Sequence, residues 1–330
     1  MHPRECVGLA QAADKAGLVG IWFAENAFAR GILPVAAACA LSTKNVRINA
    51  GVFNPYSRHP AMMAMEIGAL DELSDGRASL TIGAGIVSAT AKLGLNSEKP
   101  VPALRDAITI VRGLLRREEV DYEGPAYTAK KIRLDYRPRP DIPVYLAGRG
   151  NLTAKLAAEA ADGLVISNMC SVQFAGRLVE LMRSFARAAG RSVLGHVVQY
   201  MPCVMRSDSF EALKVVKRGL GQLLPRYWTL GQTVGSAKDG LLAGTHMSEA
   251  DIERASKRLR AGEDPTEVLD DSFALSFSLA GTPKECLTLA AKYKAAGVDE
   301  LALTFSGPTA QEEIAAIGAA LVQMRTSVQR

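Results

Sequence analysis

The sequence predicts one α/β domain over residues 1–330, a parallel sheet closed with helices as a TIM (β/α)8 barrel. Two observations carry that expectation. Short β-branched runs alternate with longer stretches at helical spacing, which is the pattern of βα units. The length, 330 residues, suits one barrel of roughly 250 residues with insertions.

Taken in order, the strand runs are 19–24, 46–52, 78–82, 144–147, 164–166, 197–205 and 301–305. Between them, Leu104, Ile108, Val111 and Leu115 recur at helical spacing, as do Phe174, Leu178, Leu181 and Phe185. Each set is an apolar stripe to lay on a sheet. Met63, Ile67 and Leu70 share one face of a helix that ends at the turn Ser74-Asp75-Gly76. Thr282-Pro283 supplies an N-cap and a first-turn proline, and Gly297 stands where that helix should end. Two segments break the alternation. Residues 119–140 read as an extended excursion turning at Glu123-Gly124-Pro125, and residues 225–278 read as an insertion with a charged helix around 248–261. An insertion after a barrel strand builds a wall or lid of a site. A barrel of this class has eight strands, yet the chain opens directly into a helical stretch at 5–16, so the first strand is expected to be missing.

Composition excludes several classes of function. Hydrophobic residues at 48% and charged residues at 22% match a globular chain with a sizeable core, which argues against disorder. Apolar runs are interrupted well before the ~18 residues a membrane helix needs, and the N-terminus lacks a signal-peptide pattern. The expected location is the cytoplasm, with no membrane partner. Five scattered cysteines without C-x-x-C and four isolated histidines point to reduced thiols and no protein-built metal site. The net charge of +5 is mild, and no nucleic-acid partner is expected. The densest basic run, Lys130, Lys131, Arg133, Arg137 and Arg139, reads as a solvated loop or as a patch for an anionic small molecule.

Three stretches carry the candidate chemistry. In RINAGVFNPYSRHP a strand ends at Gly51-Val52 and runs through Phe53 into Asn54-Pro55, a turn signal at the end where barrel sites form. A glycine there lets a flat ring approach the backbone, although an ordinary strand end fits these residues equally well. Gly83-Ala84-Gly85 follows the next strand. A dinucleotide-binding reading of it is disfavoured, because Ser88 replaces the third glycine, no helix begins promptly and no acid follows at the required distance. Finally, Ala147, Gly148, Arg149, Gly150 and Asn151 lie between a strand and a helix. Backbone N–H groups at a helix N-terminus, aided by Arg149, make a phosphate cradle; the plainer reading is a strand-to-helix turn with Asn151 as N-cap.

The order N-P-Y-x-R-x-P, L-D-E-L-S-x-G-R-A, G-x-G, R-D-A-I, I-P-x-Y, A-D-G and G-T-P resembles the F420-dependent methylenetetrahydromethanopterin reductases of the luciferase-like superfamily. The resemblance runs from about Glu5 to the C-terminal helix. It implies a (β/α)8 barrel holding F420 or FMN at the C-terminal ends of its strands, with a non-proline cis peptide mapping onto Gly51-Val52. Phe53 and Asn54 would border the ring, Gly83 and Gly85 would let the cofactor side chain pass, and residues 148–151 with Ser167 and Asn168 would hold its phosphate. The implied reaction is hydride transfer between the reduced ring and a small organic substrate. A reduced-FMN monooxygenase and a non-catalytic flavin-binding protein are the other readings. Where the family's second strand ends in Asp-His, this chain has Glu25-Asn26, the candidate catalytic pair, and asparagine cannot act as a base near neutral pH. The family also implies a homo-oligomer.

Overall fold

The computed structural model describes residues 1–330 except Ala27, Ile86, Asn96, Ser97, residues 192–194, Ser306, Gln329 and Arg330. The chain forms two compact units, the first comprising residues 1–148, 152–165 and 185–195 and the second residues 149–151, 166–184 and 196–330.

The first unit opens with α1 (Pro3–Lys15), whose capping box joins His2 and Glu5. It continues through β1 (Gly20–Phe23), α2 (Leu33–Ser42), β2 (Arg47–Phe53), α3 (Pro60–Leu73), β3 (Ala78–Gly83), α4 (Val87–Lys92) and α5 (Pro100–Leu115). The hairpin β4 (Val120–Glu123) and β5 (Thr128–Ile132) follows, then β6 (Val144–Ala147), α6 (Asn151–Ala160) and β7 (Gly163–Ile166). Strands β1, β2, β3, β6 and β7 pair in that order, each parallel to its neighbour. Parallel strands covered by helices are buried on both faces, and β3 and β7 are buried along their whole length, the polar Ser79 and Thr81 of β3 included. The α5 stripe of Leu104, Ile108, Val111 and Leu115 is buried as expected, and so are Met63, Ile67 and Leu70 of α3.

The second unit contains α7 (Val172–Ala188), β8 (His196–Met205), α8 (Ser209–Gly231), α9 (Gly235–Leu242), α10 (Glu249–Arg260), α11 (Pro265–Val268), α12 (Asp271–Ser276), β9 (Leu279–Gly281), α13 (Pro283–Ala295), β10 (Glu300–Phe305) and α14 (Ala310–Val328). β8 pairs in parallel with β10 over Val198–Cys203 and with β9 over Cys203–Met205. Thr282 caps α13 in a box with Glu285, and Gly297 adopts φ +90° beyond its end, as the sequence leads one to expect.

All seven expected strands are present, and the residues 119–140 do form an antiparallel hairpin. Four details differ. The three-residue strand β9 is too short to stand out in a sequence. A short helix, α4, does begin promptly after Gly85. In α7 the buried stripe is Phe174, Leu178 and Met182, with Leu181 and Phe185 only half-buried, because the helix rotates its face by one residue. The insertion does not start at 225, since α8 runs through Pro225 to Gly231. Its helices pack on one another through a buried cluster that includes Leu220, Leu224, Trp228, Leu241, Ile252 and Phe273. No helix among the described residues is long and apolar enough to cross a membrane.

Candidate functional site

In the first unit the site residues gather where β2 ends. The Gly51–Val52 peptide is cis, and the β2–β3 register shifts between Ala50 and Phe53. This is the bond that the resemblance places there. The three glycines are required by near neighbours. A Cβ at Gly51 would stand 2.4 Å from the Thr81 carbonyl oxygen, one at Gly83 2.4 Å from the Val52 side chain, and one at Gly85 2.4 Å from the Asn54 amide. Gly83 and Gly85 therefore make room for Val52 and Asn54. The Asn54 side chain accepts from the Tyr56 N–H at 2.9 Å, closing the turn that leads into α3. Phe53 is fully buried, so its ring belongs to the core, while Val52 and Asn54 are half-buried.

Glu25 and Asn26 follow β1. The Glu25 N–H donates to the Gly51 carbonyl at 3.0 Å, tying its backbone to the cis bond. Its carboxylate Oε1 takes an ion pair from Arg58 at 3.2 Å, and Arg58 pairs also with Glu66 at 3.0 Å. The same guanidinium lies 4.2 Å above the centroid of the Phe53 ring. Burial raises the Glu25 carboxyl above its ordinary value, Arg58 draws it down, and Glu66 pushes it up again. Asn26 is exposed, with a long 3.4 Å contact from its amide to the Ala24 carbonyl.

The hairpin braces this corner. Asp106 on α5 accepts from Tyr122 Oη and from the N–H groups of Ala126 and Tyr127 at 2.8–3.0 Å, while Tyr127 Oη donates to the Pro55 carbonyl. Burial raises the Tyr127 phenol to about 12. The basic run leads along α3 to its C-terminal end, where Arg139 forks onto Asp71 and also meets Asp141. Asp71 meanwhile accepts from the N–H of Ala78, the first residue of β3. Since sites form at the other end of the strands, Arg139 is a structural tie there. Lys131, Arg133 and Arg137 are exposed.

In the second unit, Arg149 leads the chain toward α6. It is 8% exposed, and Nη2 donates to Ser167 Oγ and, at 3.1 Å, to the Asn168 carbonyl. Its guanidinium stacks 4.7 Å from the Tyr227 ring centroid, yet Nη1 is buried without a hydrogen-bond partner, and among the described residues no carboxylate pairs with it. The Asn168 Oδ1 is also buried and unpartnered. Gln199 Nε2 donates to the Ser167 carbonyl at 2.9 Å, which holds that turn. Helix α6 begins at Asn151, so the cap position falls on Gly150 and the capping role expected of Asn151 is not seen. A Cβ at Gly150 would meet only Ser236 Oγ, at 3.8 Å. Gly148 is needed because a Cβ there would come 2.7 Å from the Thr153 side chain, and Ala147 ends β6. A buried arginine without an acid is costly unless an anion completes it. Sequence reading missed Tyr227 and Ser236, since nothing local marks them as neighbours of Arg149.

Among the described residues no group of three His, Cys, Asp or Glu side chains could hold a metal ion, and the five cysteines are unpaired with one another in disulfides.

The model of a family described as luciferase-like monooxygenase matches residues 1–300. A 5,10-methylenetetrahydromethanopterin reductase of Archaeoglobus fulgidus is 27% identical over 94% of this chain and 92% of its own length. An F420-dependent glucose-6-phosphate dehydrogenase of Amycolatopsis mediterranei is 27% identical over 81% of this chain and 83% of its own length. The solved structure of the F420-dependent tetrahydromethanopterin reductase of Methanopyrus kandleri superposes with a TM-score of 0.82, covering 98% of this chain and 96% of that one at 21% identity.

Proposed function

Because the chain belongs to the luciferase-like monooxygenase family and has its α/β-barrel fold, we propose that it is an F420- or FMN-dependent oxidoreductase resembling methylenetetrahydromethanopterin reductase. The observation that carries this reading is Arg149, a buried cation with an unpartnered Nη1 and no carboxylate. That donor set fits a phosphate: Arg149 supplies charge, Gly150 and Asn151 supply the open N–H groups of a helix start, and Ser167 and Asn168 fix the guanidinium. Gly150 also leaves room there, since a Cβ would meet only Ser236 Oγ, at 3.8 Å.

For the ring end, Gly51, Val52 and Asn54 are the proposed contacts, with Gly83 and Gly85 shaping them and Phe53 supporting them from the core. The relatives' names supply the cofactor, F420. When bound, such a cofactor exchanges a hydride with an organic substrate. The protein's part is to hold that substrate, exclude water and move one proton. Glu25 is the proposed proton carrier. Its pKa is raised by burial, which brings a carboxylic acid nearer to working pH, and Arg58 holds it by Oε1. Asn26 has no proton to exchange near neutral pH and is proposed to contact substrate by hydrogen bonding.

Fluorescence titration with F420 and with FMN tests the reading. Saturable binding of one of them supports it, and binding of neither refutes it. The monooxygenase alternative rests on the family description and is separated by oxygen uptake. A reductase turns over anaerobically, whereas a monooxygenase consumes one O2 per product.

A further inference from the structure

The sequence assigns the anion cradle to the loops after β6 and β7, but the structure brings residues of α8 and α9 to the same arginine. The Arg149 guanidinium lies over the ring of Tyr227 on α8, 4.7 Å from its carbon to the ring centroid. Gly240 on α9 packs against Arg149 so closely that a Cβ there would stand 3.5 Å from Nη1 and 3.0 Å from the Met169 carbonyl. Ser236, in the first turn of α9, has its hydroxyl beside Gly150. The residues that open α6 thus meet the residues that open α9. In the first turn of α9 the Ala237 N–H is taken by the Val234 carbonyl at 2.8 Å, which leaves the N–H groups of Gly235 and Ser236 to face a ligand. Val234, the cap position of α9, offers no side-chain hydrogen bond to them.

We propose that α8 and α9 supply half of this anion site: Ser236 and the first turn of α9 contact the phosphate directly, and Tyr227 of α8 is a positioning residue that presents Arg149 to it. Burial raises the Tyr227 phenol above its ordinary value, with the Arg149 charge opposing that rise, so the ring faces the guanidinium as a neutral group. The ligand class is a phosphorylated ring cofactor, and the proposal rests on the reading above for the ring but not for the phosphate.

The test compares phosphorylated and unphosphorylated ligands. Dissociation constants are measured for FMN and riboflavin, and for F420 and its phosphate-free deazaflavin, on the full chain and on the variants Ser236→Asp, Tyr227→Leu and Tyr227→Phe. Ser236→Asp and Tyr227→Leu are expected to weaken the phosphorylated ligand roughly tenfold or more while leaving the phosphate-free ring unchanged, and Tyr227→Phe should keep near-parental affinity. Equal loss for both forms, or no loss, overturns the proposal while the cofactor reading stands. If neither cofactor binds the parent chain, inorganic phosphate decides. A phosphate-dependent rise in Tm over chloride at equal ionic strength, lost in Ser236→Asp, upholds the anion site although the cofactor reading has failed. Absence of that rise overturns both.

Discussion

Arg58 and Arg149 are the same residue type in similar packing, each stacked on an aromatic ring, and they differ in what completes their charge. Arg58 pairs with Glu25 and Glu66 at 3.2 and 3.0 Å and rests on Phe53. Arg149 rests on Tyr227 and finds only a hydroxyl and a carbonyl, with one nitrogen left over. The first cluster carries a net charge of about −1 when both acids are ionised, and it is closed. The second carries +1 in a buried place, and it is open to an anion. Charge balance thus separates an arginine that orders a proton carrier from one built to receive a ligand.

The sharpest way to break that contrast is Arg149→Met, which keeps length and apolar packing but removes the charge. Affinity for the phosphorylated cofactor should fall about 100-fold, roughly 3 kcal/mol for charge-assisted contacts in a desolvated site. The phosphate-free ring should bind as before. Gly150→Asp comes next. A Cβ at this position meets only Ser236 Oγ, at 3.8 Å, and the added carboxylate would neutralise Arg149, weakening the same ligand about tenfold. High salt should narrow the gap between parent and variant, because screening relieves the added repulsion.

Glu25→Gln sharpens the other side. Turnover should drop roughly 100-fold or more, the lower end for loss of a proton carrier, with cofactor affinity unchanged. Stability should not fall. The folded pKa of Glu25 lies above its ordinary value, so its favourable contribution is present at low pH and is lost as pH rises through the folded pKa. At neutral pH the ionised group is a cost that glutamine removes. Thermal melts over pH should therefore be flatter for Glu25→Gln than for the parent. Arg58→Met has the smallest effect on binding. Without the guanidinium, Glu25 loses its attraction and keeps its repulsion from Glu66, so the acidic limb of the rate profile should move to higher pH, at a cost of about 1 kcal/mol in stability for a pair still partly exposed.

The closed region was the more legible of the two. The strand run into Asn54-Pro55 and the buried face of Met63, Ile67 and Leu70 could be placed from residues near one another in the chain, whereas the position of the cis bond came from the family resemblance alone. Arg58 had no such signal, since its two acids come from separate elements. The open region was legible as far as the helix start after Arg149. What stayed hidden was its completion, because Tyr227 of α8 and Ser236 of α9 approach Arg149 from about 80 residues away and nothing in the local sequence marks either as its neighbour. The basic run divides: Lys130, Lys131, Arg133 and Arg137 are exposed, as a solvated stretch would be, whereas a count of charges cannot tell that Arg139 is already bound to Asp71. Strand β9 was missed because three residues carry too little periodicity to register.

The most direct measurement is a paired fluorescence titration of the parent chain and Arg149→Met with F420 and FMN, each beside its phosphate-free ring. The account predicts saturable binding of a phosphorylated cofactor to the parent, lost about 100-fold in the variant, with ring affinity retained. Equal affinity of parent and variant for the phosphorylated cofactor would contradict it.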